Sequence, residues 1–477
     1  MNVDRKTYED FPLAKWKQQT KQDRWRLHYH LMPPTGWLND PNGLCQMQDT
    51  YHIYYQYSPN DVDGKTKLWG HYSTKDFLHF IEHEPVLYED DRRDAHGVYS
   101  GSAFVQGNKI HYFYTGNYKH AGCFNYINEG REHNTMHVVS EDGTAMSAKE
   151  QVLSNLEYPD DMSCHVRDPK VFEQDGCYYM VLGARTTAGK GCVLVYRSEN
   201  LTQWDYAFRI EKENFGYMWE CPDLFELDGQ WFLLLCPQGL AQQGIAYENV
   251  YQCGYFPLTI DFASGSYALG AFQELDHGFD IYAPQTFADE HNRRILIPWM
   301  GLPDIDYTNP TSAHHWQHAL GMPRELHARA GKLYQQPLSE MKQLRKEAFT
   351  CAMQDFTKAG KQGLCFEMKL DFAKDADFTM VLRQDITLTY RVNDHIFTLA
   401  MKEGGYGRTK RHVQLQQLSS LHIFSDTSSI ELFLNDGEET MTSRNYAQKE
   451  TIDLVQAANG QITYYDLGSY DIMEEER

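Results

Sequence analysis

Three carboxylates stand at or next to an Xaa-Pro step in the first half of the chain. They are Asp40 in Trp37-Leu38-Asn39-Asp40-Pro41-Asn42-Gly43, Asp168 in Arg167-Asp168-Pro169, and Glu220 in Trp219-Glu220-Cys221-Pro222-Asp223. Cleaving a glycosidic bond takes a carboxyl group on each side of it, one attacking or activating water, the other protonating the leaving oxygen. A third carboxylate can hold sugar hydroxyls. Any one of these carboxylates alone would read as a turn residue beside proline. Three of them, far apart in sequence and alike in context, predict one site assembled by a repeating scaffold.

The scaffold is visible in the same stretch. Candidate innermost strands begin near Asp40, Ser100, Asp168, Glu220 and Tyr282, and a second apolar, aromatic strand follows each: 51–57, 110–114, 177–182, 231–235 and 294–299. Third strands are expected at 69–73, 136–140 and 193–198. Self-similarity at about 50 to 65 residues with no helical periodicity is the mark of a β-propeller. A single four-stranded sheet cannot bury both faces alone, whereas a closed ring can. Five units fit residues 26–337, and the starts of equivalent strands would bring Asp40, Asp168 and Glu220 to one mouth of the channel.

The rest of the chain is expected to support that unit. Residues 1–25 are a charged, weakly amphipathic extension, and 338–350 read as a linker helix. From 351 to 477, two-residue alternation (Phe366, Met368, Leu370, Phe372; Ile386, Leu388, Tyr390, Val392) and the turn Asn435-Asp436-Gly437 predict a β-sandwich. The fold class is therefore all-β: a five-bladed propeller followed by a C-terminal sandwich, the latter serving mainly to stabilise.

Composition excludes several function classes. A net charge of −22 argues against nucleic acid or an anionic membrane as a partner. No apolar run reaches the ~18 residues of a transmembrane helix, and Asp4, Arg5, Lys6, Glu9 and Asp10 interrupt any signal-like start. Ten cysteines without a C-x-x-C pair argue against a zinc ribbon or dithiol site and fit reduced thiols in a cytoplasmic protein. No metal or cofactor is implied, since carboxylates and water suffice. Homo-oligomerisation through the sandwich stays open.

The motifs resemble those of the β-fructofuranosidase (invertase) family of glycoside hydrolases, nearest to its bacterial sucrose-6-phosphate hydrolases. The likeness runs through Tyr29 to Gly43, Tyr54-Tyr55-Gln56-Tyr57, Trp69-Gly70-His71, Tyr99-Ser100-Gly101-Ser102-Ala103, Tyr114-Thr115-Gly116-Asn117, Arg167-Asp168-Pro169, Trp219-Glu220-Cys221-Pro222, Tyr282-Ala283-Pro284-Gln285 and Pro323-Arg324-Glu325-Leu326, and into the tail at Ser428 to Glu431 and Met441 to Arg444. It departs mildly at Tyr99 and Val98, where the family commonly has Phe and Cys. The resemblance implies a five-bladed propeller with a sandwich, and retention of configuration with two carboxyl groups about 5–5.5 Å apart. It makes Asp40 the nucleophile, Glu220 the acid/base and Asp168 the residue that holds fructose hydroxyls, with Arg167 beside it. Asn39, Gln56, Trp69 and Ser102 match positions lining the fructose subsite, and Tyr282 and Trp299 are further substrate-binding candidates. Cys221 is expected to tune the acid by hydrogen bonding or to be packed and inert.

Within the family, sucrose 6-phosphate and sucrose are the expected substrates, with short fructo-oligosaccharides as the alternative. Holding a phosphate in so acidic a chain requires a local cluster of cations, and Lys65, Lys67, Arg92, Arg93, Lys119 and His120 lie in loops that border the mouth. A non-catalytic sugar-binding propeller would have lost a carboxylate. Arabinan-cleaving propellers lack the Asn-Asp-Pro-Asn-Gly context and the sandwich tail.

Overall fold

Alternating apolar and aromatic residues pair here as antiparallel strands that stack through both faces. The computed structural model describes residues 2–475; Met1 and Glu476–Arg477, at the outer ends of the expected extension and sandwich, lie outside them. Five sheets follow one another along the first 337 residues. They start with Gly36–Met47, Val98–Gln106, Met162–Gln174, Met218–Leu227 and Tyr282–Ala288. Their second strands, Thr50–Ser58, Lys109–Lys119, Cys177–Thr186, Gln230–Gln238 and Arg294–Met300, contain the apolar runs expected there.

Successive sheets bury their faces against each other. Tyr54, Trp69 and Leu87 of the first pack on Val98, Tyr112 and Met136 of the second. Phe113 of the second meets Val166 and Met180 of the third, and Val181 and Val193 of the third meet Trp219 and Leu233 of the fourth. A larger cluster joins Phe232, Ile295 and Tyr55 of the fourth, fifth and first sheets, which closes the ring. Fully burying one Leu- or Phe-sized side chain contributes about 1.5–3 kcal/mol, a gain that each sheet realises on two faces only because it has two neighbours. The first strands therefore stand side by side around a common axis.

The N-terminal extension forms two short helices, Arg5–Glu9 and Leu13–Lys21. The side chain of Asp4 caps the first by accepting the Thr7 N–H at 2.7 Å. Tyr8 is buried in the ring-closing cluster, and Lys17 pairs with Glu82 on the first sheet's outer strand. No helix among the described residues is long and apolar enough to cross a membrane.

The expected linker helix over 338–350 is instead a six-residue 3-10 helix, Ser339–Leu344, after which Arg345–Ala352 is already a strand. Leu338, Met341 and Leu344 are the apolar positions of this segment, and their burial against the ring's core needs no further helical turn. Two sheets of six and five strands follow, enclosing Phe366, Met368, Leu370, Leu388, Tyr390, Leu432 and Tyr464. The seam between ring and sandwich is polar and buried. His30 contacts Asp426 (Nδ1–Oδ2) and Glu431 (Nε2–Oε1), each at 2.8 Å, while Arg324 Nη2 meets Glu431 Oε2 at 2.6 Å and Arg408 binds Asp280 through two contacts of 2.7 Å.

Candidate active site

In a regular strand, neighbouring side chains point to opposite faces. Each of the five first strands breaks that rule at its motif. Pairing slips between Leu38 and Pro41, Val98 and Gly101, Arg167 and Lys170, Glu220 and Asp223, and Tyr282 and Gln285. Such bulges re-aim side chains, and here consecutive residues reach one cavity of about 310 Å³: Asn39 and Asp40, Tyr99 and Ser100, Arg167 and Asp168, Glu220 and Cys221. Asp168, Cys221 and Ala283 hold left-handed φ values of 62°, 49° and 44° just before proline. Non-glycine residues adopt that conformation at a cost of about 1–2 kcal/mol each, and strain of this kind collects at functional sites.

The three carboxyl groups have different surroundings. Asp40 accepts Asn39 Nδ2–H on Oδ1 at 2.9 Å and the Ser100 hydroxyl on Oδ2 at 2.6 Å. Burial raises its pKa, and those two hydrogen bonds together with Lys67 pull it back. Asp168 takes the Cys221 N–H on Oδ2 at 3.0 Å, with Arg167 Nε 3.9 Å away. Burial pushes this carboxyl up to about 7, the charges of Glu220 and Asp40 adding to it against Arg167. Glu220 is held on Oε1 by Arg167 Nη2, and on Oε2 by Gln238 Nε2 and the Tyr282 hydroxyl, each at 2.6 Å. Gln56 lines the same cavity while its Nε2 donates to Val98 O at 2.8 Å. Trp299 lines it with an indole Nε1 that has no partner among the described residues.

Residues 30–337 match the model of the glycosyl hydrolases family 32 N-terminal domain, and residues 335–471 match the family 32 C-terminal model. The chain belongs to glycosyl hydrolase family 32. It is 37% identical over 469 residues to a sucrose-6-phosphate hydrolase of Bacillus subtilis, covering 96% of each chain. With its counterpart from Staphylococcus xylosus it shares 35% identity, covering 99% of this chain and 96% of the other. Among solved structures, sucrose-6-phosphate hydrolase of Lactobacillus gasseri superposes with a TM-score of 0.88 at 26% identity, covering 98% and 100% of the two chains. A family 32 β-fructofuranosidase of Bombyx mori gives 0.84 at 26%, with 98% and 100% covered.

The structure of this family 32 chain corrects several expectations from sequence. Trp69 does not line the cavity: it is fully buried between the first two sheets, packed on Tyr54, Tyr112 and Tyr114, with Nε1 donating to Tyr99 O at 3.1 Å. Ser102 is also buried outside the cavity. Two residues past Ser100, it accepts the Val171 N–H at 3.3 Å and ties the second sheet to the third. The three carboxylates do not share one repeat position. Aligned on the Xaa-Pro step, the counterparts of Asp40 and Asp168 are Cys221 and Ala283, and Glu220 falls one residue earlier with Asn39, Arg167 and Tyr282. The Cys221 thiol approaches the two aspartates, at 3.7 Å from Oδ2 of each, and makes no hydrogen bond to Glu220. Burial and the surrounding carboxylates push that thiol well above its ordinary value, so it stays protonated.

Other lining residues were not among those expected to hold the fructosyl unit. Lys67 donates to Asn39 Oδ1 at 2.7 Å, its amine pushed down to about 8 by burial. Trp37, Arg131, His165 and Gln238 arrive from second and third strands or from positions upstream of the bulges. Periodicity could have flagged Gln238, which ends the fourth sheet's second strand just as Gln56 lies near the end of the first sheet's. Nothing local marks Arg131 or His165.

Proposed function

We propose that this protein hydrolyses terminal β-D-fructofuranosides with retention of configuration, acting on sucrose 6-phosphate and on sucrose, and that its five sheets are the five blades of a propeller. Asp40 attacks the anomeric carbon of the fructosyl unit and forms a covalent ester. Glu220 protonates the departing glycosidic oxygen and then takes a proton from the water that cleaves the ester. Asp168, with Arg167 beside it, holds fructose hydroxyls and stabilises the oxocarbenium-like transition state. Asn39, Gln56, Tyr282 and Trp299 complete the fructose subsite.

The observation that carries this reading is the unequal solvation of three carboxylates in one cavity. Asp40 receives two neutral donors that favour its ionised form. Glu220 is oriented by Arg167, Gln238 and Tyr282, so its carboxyl is fixed for proton transfer. Support for the phosphorylated substrate comes from the B. subtilis, S. xylosus and L. gasseri relatives.

The test compares kcat/KM for release of glucose from sucrose and of glucose 6-phosphate from sucrose 6-phosphate, with Asp40→Asn as the blank. A preference of about tenfold or more for the phosphorylated sugar, worth ~1.4 kcal/mol, supports the full reading. Equal rates reduce it to a general β-fructofuranosidase, and activity no better than the blank removes the enzymatic reading.

A further inference from the structure

Arg131 is a cavity cation without a carboxylate partner among the described residues. Among its basic lining residues, Lys67 is hydrogen-bonded to Asn39 beside Asp40, and Arg167 is committed to Glu220 and Asp168. Arg131 has no acidic partner among the described residues, and its buried Nε has no hydrogen-bond partner at all. Its Nη1 lies 3.2 Å from His165 Nε2, yet that nitrogen also faces Tyr126 O at 3.1 Å, and His165 Nδ1 accepts Arg167 Nη1–H at 2.6 Å. A neutral imidazole has one N–H. With Nδ1 accepting, Nε2 carries the proton, directs it to the Tyr126 carbonyl and offers Arg131 no lone pair. Arg131 is half-buried, and a guanidinium nitrogen buried without a partner is costly unless a ligand completes the group.

A second cation aggravates the imbalance. Lys119 is the cross-strand partner of Arg131, and like charges directly opposite in an antiparallel pair repel. Lys119 also lacks an acidic partner among the described residues; its ammonium lies 5.4 Å from the centre of the Tyr126 ring. Lys65 pairs with Asp63, Arg93 with Asp91 and Arg92 with Glu132, and His120 Nε2 lies 2.9 Å from Glu132 Oε1. In a chain of net charge −22, two adjacent unneutralised cations mark a place for an anion.

Position identifies the anion. The leaving sugar departs from the side of its acid, Glu220, and contacts run in series from that carboxyl through Arg167 and His165 to Arg131, separating Arg131 from it by one guanidinium and one imidazole. We propose that Arg131, backed by Lys119, binds the phosphate monoester carried by the leaving-group aldose, and so determines specificity for the phosphorylated disaccharide. The inference rests on the reading of Glu220 as the acid. Arginine suits it because its planar fork meets phosphate oxygens through two N–H groups.

The experiment measures kcat/KM on sucrose 6-phosphate and on sucrose for wild type, Arg131→Gln, Arg131→Lys and Lys119→Gln. In parallel, calorimetry follows glucose 6-phosphate binding to Asp40→Asn with and without Arg131→Gln. Charge-assisted hydrogen bonds predict a ~10- to 100-fold fall in the selectivity ratio for Arg131→Gln, mostly through KM. A smaller fall is expected for Lys119→Gln, and partial retention in Arg131→Lys. Glucose 6-phosphate should bind more weakly by the same factor. An unchanged ratio in a variant that still turns over, or an equal loss on both substrates, overturns the proposal. If wild type shows no fructosidase activity, the reading of the site fails separately, and the calorimetry still decides whether Arg131 holds the phosphate.

Discussion

Ser100 donates its hydroxyl to Oδ2 of Asp40 at 2.6 Å, linking the bulges of the first and second sheets. The bond favours the carboxylate form that a nucleophile needs, against a burial that disfavours it. Ser100→Ala should raise the Asp40 pKa. A hydrogen bond to a charged group is worth about 1.5–3 kcal/mol, so the acid limb of kcat/KM should move up by about one pH unit or more. Activity is lost first at low pH. A pH profile on sucrose that superposes on wild type would remove Ser100 from this role.

Asp168 carries a stability cost that comes with its place in the cavity. Its folded pKa of about 7 lies above the unfolded value of 3.8, burial being the main cause. Between those values the folded chain binds a proton that the unfolded chain releases, so this group's contribution falls as pH rises through the window and is constant above it. Asp168→Asn should therefore melt a few degrees above wild type at pH 8, the gap closing as pH falls toward 4. Its kcat should drop by ~10²–10³-fold, the usual scale for losing a transition-state-stabilising group. A lower melting temperature at pH 8 would contradict this.

For Glu220→Gln, loss of the positioned proton donor should lower kcat on sucrose by ~10²–10⁴-fold. The loss should shrink on an aryl fructoside whose leaving group departs without protonation. Equal losses on both substrates would mean that the residue orients Arg167 and Tyr282 rather than transfers a proton.

The buried seam predicts a pH optimum of stability. Burial alone would lower the His30 pKa, but hydrogen bonds to Asp426 and Glu431 raise it above 6.5, so its contribution is complete below 6.5 and fades as pH climbs through the folded value. The two carboxylates, buried yet held by His30 and Arg324, are lowered from 3.8 and 4.5, and their contribution is complete above those values and lost at lower pH. The difference in unfolding free energy between wild type and His30→Gln should thus peak between pH 4.5 and 6.5. Breaking a buried pair costs about 3–5 kcal/mol. A pH-independent difference in chemical denaturation would refute the assignment.

How far the sequence speaks for the structure depends on what fixes each residue. Runs such as Trp231–Leu235 and Phe366–Phe372 declare themselves because they are buried and alternate or cluster accordingly. The outer strands, for example Asp205–Glu211 and Ser266–Leu269, escape detection because they are mostly solvent-facing and carry little apolar signal. Asp40 and Asp168 are legible because a bulge with proline leaves a local mark. Side-chain depth leaves none: Gln56 and Trp69 are register partners, yet only Gln56 reaches the cavity, the indole being taken up by inter-sheet packing. Arg131 and His165 come to the site through the packing of the second sheet against the third, which no local pattern encodes.

The strand Asp471–Glu474 lies parallel to His79–Leu87 and covers the outer edge of the first sheet. During synthesis that edge emerges nearly four hundred residues before its cover. Until then the first sheet exposes unpaired N–H and C=O groups, the usual template for illegitimate strand addition. Charged side chains on His79–Leu87 are of the kind that discourage such addition. Translation order thus makes the residues near 471 a late-arriving lock on the first of the five sheets to be made.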